Sequence, residues 1–300
     1  MAECAPSSKC GSSAACASCA SNPKAGTIAD KPGGRTRDRA AAMHDVLKNI
    51  KNTLFIMSGK GGVGKSAVTV NLALALANMG HTVGILDVDM HGPSIPSLLG
   101  LEDLLTARDG ENLTPAYYKE NVAVVSMDSL LPDRNTAIIW RGPKKTAAIH
   151  QFLGSVAWGS LDYLLIDSPP GTGDEHLAVL QAIPGAQCVM VTTPQEISLA
   201  DVRKALNFLE KINAPLLGIV ENMSGLSCPH CGGNIDLFSS GGGEALANSR
   251  NIPFLGRVPI DPSMLVAADS KRPVVAMPGE FPAKDAFLAI ARKVKAGLPA

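Results

Sequence analysis

From Thr53 onward the chain alternates short, unbroken apolar runs with longer stretches of helical spacing. The runs are Thr53-Leu54-Phe55-Ile56-Met57, Thr82-Val83-Gly84-Ile85-Leu86, Val122-Ala123-Val124-Val125, Tyr163-Leu164-Leu165-Ile166, Cys188-Val189-Met190-Val191, Leu216-Leu217-Gly218-Ile219-Val220 and Pro253-Phe254-Leu255-Gly256. Runs without polar alternation predict strands covered on both faces, as in parallel sheets. Apolar positions recur at helical spacing over Ala67 to Met79, Lys144 to Phe152, Glu175 to Ile183, Ser198 to Ile212, Gly243 to Asn251 and Ala283 to Val294. A short helix over Ala40 to Ile50 is expected to lead into the first strand. The alternation predicts a doubly wound, mainly parallel α/β sheet over residues 41–300, without internal repeat or second core.

Residues 1–40 break this pattern. They are rich in Ala, Ser, Gly, Pro and Lys, with almost no large apolar side chain. Such a segment cannot bury enough surface to offset its ordering entropy, so a flexible arm is expected unless its cysteines tie it down.

Composition narrows the class. Hydrophobic residues make up 46% of the chain and aromatics 4%, which is ample for a mostly aliphatic core. Lys+Arg and Asp+Glu balance at 27 each, so no global field attracts nucleic acid or an anionic membrane. No apolar stretch approaches the roughly 20 residues that span a bilayer, and the N-terminus has no signal-like apolar segment. The expectation is a soluble cytoplasmic protein that binds neither membrane nor nucleic acid.

Between the first apolar run and the first helix lies Ser58-Gly59-Lys60-Gly61-Gly62-Val63-Gly64-Lys65-Ser66. Strand, glycine loop and helix start are the context in which G-x-x-x-x-G-K-[ST] cradles phosphate. The glycines let backbone N–H groups converge on phosphate oxygens, and the helix aims its positive end at them. Lys65 supplies a point charge to the β- and γ-phosphates, and Ser66 a hydroxyl for Mg²⁺. Lys60 is too close to the turn to reach its own phosphates as Lys65 does. It suits a charge delivered across a dimer interface, as an arginine finger is, although a solvated surface lysine is the competing reading.

Two strand ends carry carboxylates. Asp87-Val88-Asp89 closes the second run and Asp167-Ser168-Pro169-Pro170-Gly171-Thr172-Gly173-Asp174 the fourth. Ligands of open α/β sheets sit at the carboxyl ends of strands, so these carboxylates face the phosphate site. Asp167 matches a Walker-B residue for Mg²⁺. Of Asp87 and Asp89, one suits the Mg²⁺ shell and the other an attacking water. Gly171 and Gly173 give the backbone freedom to respond to a γ-phosphate.

The seven cysteines are unevenly spread. Cys4, Cys10, Cys16 and Cys19 run C-x₅-C-x₅-C-x₂-C, enough thiolates for one cluster. Cys188 lies in a strand and reads as a plain buried residue. Cys228-Pro229-His230-Cys231 follows the run ending Val220-Glu221-Asn222 and fits a redox pair, half a zinc site or half an Fe–S site. Either metal reading needs a second chain to complete four ligands. Of the histidines only His230 is placed to join a metal; His44, His81, His91, His150 and His176 read as structural or surface.

Taken together, Gly59–Ser66, Asp87-Val88-Asp89-Met90-His91-Gly92-Pro93-Ser94, Trp140-Arg141-Gly142-Pro143, the Asp167–Asp174 segment, Asn222-Met223-Ser224 and Cys228/Cys231 resemble one family over residues 40–296. It is the Mrp/NBP35 family of Fe–S cluster carrier (scaffold) ATPases, within the deviant Walker A class that includes MinD, ParA and the nitrogenase iron protein. The resemblance implies ATP and Mg²⁺ as ligands, Lys60 as a signature lysine acting across a homodimer, and Lys65 on phosphate. It further implies Ser66 and Asp167 on Mg²⁺, Asp89 orienting water, Asn222 against adenine, and Cys228 and Cys231 holding a [4Fe–4S] cluster between two subunits for delivery to apoproteins. The NBP35 type carries N-terminal cysteines as C-x₁₃-C-x₂-C-x₅-C. Here Cys16 and Cys19 match the central pair, but Cys4 and Cys10 both precede it. The alternatives within the class are a positioning ATPase of MinD or ParA type, which leaves Cys228 and Cys231 unexplained, and an electron-transferring reductase, whose cysteines lie far apart.

Overall fold

The computed structural model describes residues 36–90, 92–102, 105–108, 112–130, 142–228, 230, 231, 233–235 and 237–298. The described residues begin with helix α1 (Thr36–Leu47), then strand β1 (Ile50–Ser58), α2 (Lys65–Asn78), β2 (Val83–Asp87) and α3 (Ile95–Leu99). β3 (Leu105–Arg108), β4 (Asn112–Tyr118), β5 (Val122–Ser126), α4 (Gly142–Ser155), β6 (Leu161–Asp167) and α5 (Asp174–Ala182) follow. Next come β7 (Gln187–Thr192), α6 (Glu196–Lys211), β8 (Leu216–Glu221) and the short pair β9 (Leu226–Ser227) and β10 (Asn234–Ile235). The last elements are α7 (Gly242–Ser249), β11 (Phe254–Arg257), α8 (Pro262–Asp269) and α9 (Pro282–Gly297).

Among the described residues, nine strands form one sheet in the order β11-β8-β7-β1-β6-β2-β5-β4-β3. β11 through β5 run parallel, and β4 and β3 add an antiparallel edge. The doubly wound, mainly parallel α/β architecture expected from the apolar runs is therefore present. Strand β1 shows why its run lacks polar alternation. Phe55 and Met57 point into a core with Phe152 of α4, Val179 of α5 and Leu206 of α6. Leu54 and Ile56 point into the opposite core, with Leu72 and Leu76 of α2 and Phe287 of α9. All four are fully buried, each contributing about 1.5–3 kcal/mol through lost water contact.

Two expectations need correction. The first helix does not run to Ile50: α1 ends at Leu47, and Ile50 already pairs with Leu161 of β6. The strand partner outcompetes another helical residue there, and Lys48 and Asn49 make the turn. The expected arm does not reach residue 40 either: α1 begins at Thr36, so residues 36–40 are helical.

β1 lies between β6 and β7, neither of which is its neighbour in sequence. This is a topological switch point, where the carboxyl ends of strands open a crevice. Its register sets Asp87 of β2 directly beside Asp167 of β6.

Candidate nucleotide and thiolate sites

The glycine loop leaves β1 at Ser58 and enters α2 at Lys65. Gly62 and Gly64 both have φ of +79°, a left-handed conformation that L side chains rarely adopt. Gly64 sits at the N-cap of α2. Gly59 answers a second requirement: a Cβ there would come within 2.6 Å of the backbone of Asp201 and Val202 on α6. The loop is thus pressed between α6 and the sheet, with the Ser58 hydroxyl donating to the Lys60 carbonyl at 2.9 Å.

At the start of α2, Lys65 is buried and its Nζ donates to Asp167 Oδ2 at 2.8 Å. The Ser66 hydroxyl donates to the same oxygen at 2.6 Å, and Thr69, one turn on, donates to Asp167 Oδ1 at 2.6 Å. Lys65, Ser66 and Asp167 therefore converge as expected. Thr69 is a member that sequence reading missed; its i+4 spacing from Lys65 was the available signal.

Asp87 is fully buried beside this group. It accepts from the Asp89 backbone N–H at 3.1 Å and more distantly from Ser126 Oγ and Ile95 N–H at 3.4 Å. Burial, and then the neighbouring Asp167 charge, hold its carboxyl well above the usual range, against the pull of the Asp89 N–H and Lys65. The two adjoining carboxyl groups, with the Ser66 hydroxyl between phosphate loop and strand end, form an oxygen-only donor set suited to a hard divalent cation. Asp89 is half-buried at the rim. Lys60 is half-buried too and forms no ion pair among the described residues.

The segment after Asp167 wraps over the loop. Gly171 N–H donates to the Ser58 carbonyl at 3.0 Å, and Gly171 has φ of +86°. His176, read from sequence as structural or surface, is fully buried here. Its Nδ1 accepts from the Gly173 N–H at 3.2 Å, fixing the turn that opens α5. The ring meets Phe55 edge-on at 5.5 Å and Phe208 at 6.4 Å. Burial depresses its pKa to about 4, outweighing the opposing pull of Glu175; Lys65 lowers it further and the Pro169 carbonyl raises it.

On the other side of the loop, Asn222 Nδ2 donates to the Val63 carbonyl at 2.9 Å and packs on Gly64. Its amide braces the loop from the end of β8. The chain then passes through Met223 and Gly225, both left-handed at φ +56° and +72°. It enters the antiparallel β9–β10 pair, which carries Cys228 and Cys231 between its strands. A thioredoxin-type redox pair opens a helix, whereas Cys228 and Cys231 lie between two antiparallel strands. Cys228 is half-buried and Cys231 exposed. The His230 N–H, then the Cys231 N–H and thiol, point at the Cys228 sulfur and lower its pKa. Among the described residues, no group of three His, Cys, Asp or Glu side chains is placed to hold a metal, so His230 does not complete the pair. A few residues on in the chain, Ile235, Leu237 and Phe238 are exposed apolar side chains. Cys188 is buried in β7 with its thiol pushed up to about 12, as a structural residue.

Cys4, Cys10, Cys16 and Cys19, the arm as far as residue 35, His91, and Trp140-Arg141 lie outside the described residues. No described helix is long and apolar enough to cross a membrane.

Comparison with known proteins points the same way. A ParA model described as NUBPL iron-transfer P-loop NTPase matches residues 49–295. An iron-sulfur cluster carrier protein of Methanocaldococcus jannaschii is 46% identical over 255 residues, covering 85% of this chain and 87% of that protein. The cytosolic Fe-S cluster assembly factor CFD1 of Saccharomyces cerevisiae is 45% identical over 260 residues, covering 83% and 89%. Among solved structures, a nucleotide-binding protein from Archaeoglobus fulgidus in complex with ADP is 42% identical, with a TM-score of 0.69 over 78% of this chain and 91% of that one. The cell division ATPase MinD of Pyrococcus furiosus, at 22% identity and a TM-score of 0.59 over 82% and 99%, shares the fold.

Proposed function

The chain belongs to the family of NUBPL-type iron-transfer P-loop NTPases, and from that membership we infer that it is an ATP-hydrolysing carrier that binds a labile Fe–S cluster and passes it to apoproteins. One observation carries the reading: a single strand end, β8, braces the phosphate loop through Asn222 and leads directly into the thiol hairpin of Cys228 and Cys231. A generic NTPase or a positioning ATPase has no use for the second half of that arrangement.

The cargo is a [4Fe–4S] cluster. Two thiolates fill half of a four-cysteine set, so a second copy of the chain supplies the other half across a two-fold axis. A cluster held by only two sulfurs from each side is released by a modest subunit movement. A half-buried Cys228 and an exposed Cys231 leave the thiols accessible, which suits a cargo that must leave. The four N-terminal cysteines offer thiolates for a second cluster in the same chain. Relatives of this chain carry "cytosolic" in their names, and the same compartment is proposed here.

On the nucleotide side, Lys65 moves from Asp167 to the β- and γ-phosphates. Ser66, Asp167 and Asp87 are the residues that would hold Mg²⁺, whose chemistry is charge neutralisation on the phosphates. Asp89, at the rim, orients the attacking water, and Asn222 contacts the adenine. Lys60, which forms no ion pair among the described residues, serves the partner's phosphate.

The test is anaerobic reconstitution with iron and sulfide counted per chain. Cys228→Ala and Cys231→Ala should each lose the bridging cluster while nucleotide binding stays. Iron content equal to wild type in both variants, in a chain lacking residues 1–20, refutes the assignment. Zinc in place of iron revives the zinc reading.

A further inference from the structure

Glu221, the last residue of β8, is a buried acid that neither the nucleotide site nor the thiol pair uses directly. Its carboxylate accepts from three donors. The Ser224 hydroxyl and the Gly241 N–H, the latter at 2.9 Å, share Oε1, and the Gly243 N–H reaches Oε2. Arg257 Nε stands 3.8 Å away and also pairs with Glu244 on α7.

These donors have a common feature. Ser224 lies just before β9, whereas Gly241 and Gly243 lie just after the hairpin, at the N-terminal turn of α7. One carboxylate therefore ties together both feet of the segment that carries Cys228 and Cys231. The fit is close. A Cβ on Gly243 would lie 2.9 Å from Glu221 Oε2, and one on Gly242 would lie 2.4 Å from the Pro194 carbonyl. Backbone bonds hold the near foot to the sheet edge: Ser224 N–H to the Val258 carbonyl at 3.0 Å, and Ile260 N–H to the Gly225 carbonyl at 2.8 Å.

The adjacent residue faces the other way. Asn222 is bonded to Val63, and the Met223 side chain lies against Gly64 of the same loop. Met223 adopts φ of +56°, a conformation that is strained for a non-glycine residue and persists only where surroundings impose it. A shift of the phosphate loop thus acts on Asn222 and Met223, and any rotation there acts on the carboxylate next door.

We propose that Glu221 is a positioning residue that couples the phosphate loop to the thiol hairpin, so that nucleotide sets how firmly the feet of residues 224–243 are held. The proposal takes its purpose from the carrier reading, but its test does not depend on iron. Full-length protein, reduced and iron-free, is followed by backbone hydrogen exchange with and without MgATP, as wild type, Glu221→Gln and Ser224→Ala. In wild type, nucleotide should change exchange both at residues 59–66 and across residues 224–243. In Glu221→Gln, exchange across 224–243 should quicken about tenfold or more, as expected when a charge-assisted hydrogen bond is replaced by a mismatched amide. It should also stop responding to nucleotide, while residues 59–66 still respond. A purely structural role would give the quickening and leave the response. Ser224→Ala, which removes one donor, should show the same loss in smaller measure, and it decides alone if Glu221→Gln does not fold. The proposal is overturned if 224–243 responds to nucleotide in the variants as in wild type, or is indifferent to nucleotide in wild type. Iron counted in parallel separates the two ideas: coupled exchange without iron uptake sinks the carrier reading only, and iron uptake without coupling sinks this one only.

Discussion

Acid should weaken this fold through His176 before it reaches most carboxylates. The imidazole is neutral, buried against Phe55 and Phe208, and accepts the Gly173 N–H; protonation would remove that acceptor and strand a charge among aromatic rings. Its folded pKa of about 4 lies below the ordinary 6.5. A depressed folded value means that the stabilisation is complete above the unfolded pKa and is lost as pH falls from there toward about 4. Working the linkage between ~pH 7.5 and ~pH 5 gives a loss of about 2 kcal/mol, or a fall in Tm of about 4–8 °C for a domain this large. The perturbation to compare is His176→Gln, which keeps an acceptor for Gly173 and cannot titrate. Asp162, held down to about 2 by Lys51 and Thr82, loses its contribution only below this window. Asp87, whose pKa is raised, behaves alike in both proteins and cancels in the difference. Urea unfolding at the two pH values, in reductant, supplies the numbers. A wild-type pH loss no larger than that of His176→Gln would refute the reasoning.

Three further outcomes follow from the site. Lys65→Ala should abolish tight ATP binding in calorimetry and, because it leaves Asp167 buried without its cation, lower stability by about 3–5 kcal/mol; retained affinity would overturn the cradle assignment. Lys60→Ala chains mixed with Asp89→Ala chains should recover ATPase activity that neither homodimer has, measured as phosphate release, whereas inactive verified heterodimers would place Lys60 in its own site. Gly59→Ala forces a Cβ onto the α6 backbone and should cost about 1–3 kcal/mol. Gly171→Ala, with open space but φ of +86°, should cost nearer ~1 kcal/mol; thermal melts rank the two.

Much of this was legible because parallel strands buried on both faces leave an unmistakable trace. Leu54 to Met57 and Leu164 to Ile166 need apolar side chains on every residue, and the carboxylates ending such runs stand out. The edge escaped notice for the converse reason. β3 and β4 mix polar residues, and Pro115 sits where β4 passes from pairing with Leu105 to pairing with β5. There, partner strands rather than side-chain pattern decide the conformation. α3 spans five residues, too few for periodicity to register. Asp261, capping α8 through the Ser263 N–H ahead of Pro262, was a readable signal that went unused. Glu221 closes an apolar run just as Asp167 does, yet its donors arrive from residues 224, 241 and 243, and only the folded chain brings them together. His176 carried no local mark at all, since burial is a property of its neighbours.

The place of β1 at the centre of the sheet has a consequence for how the protein is made. β1 leaves the ribosome early, but its partners are β6 and β7, and the brace on its loop comes from Asn222, 159 residues after Val63. At ribosomal speeds of about 5–20 residues per second, that interval lasts roughly 8–30 s. Until β6 emerges within that interval, the apolar strand Leu54–Met57 has neither of its partners to pair with, which makes the nascent chain a client for chaperones. The Asn222 brace on the phosphate loop can form only when the chain past β8 has emerged, so a braced loop also marks that the thiol hairpin's root has been made.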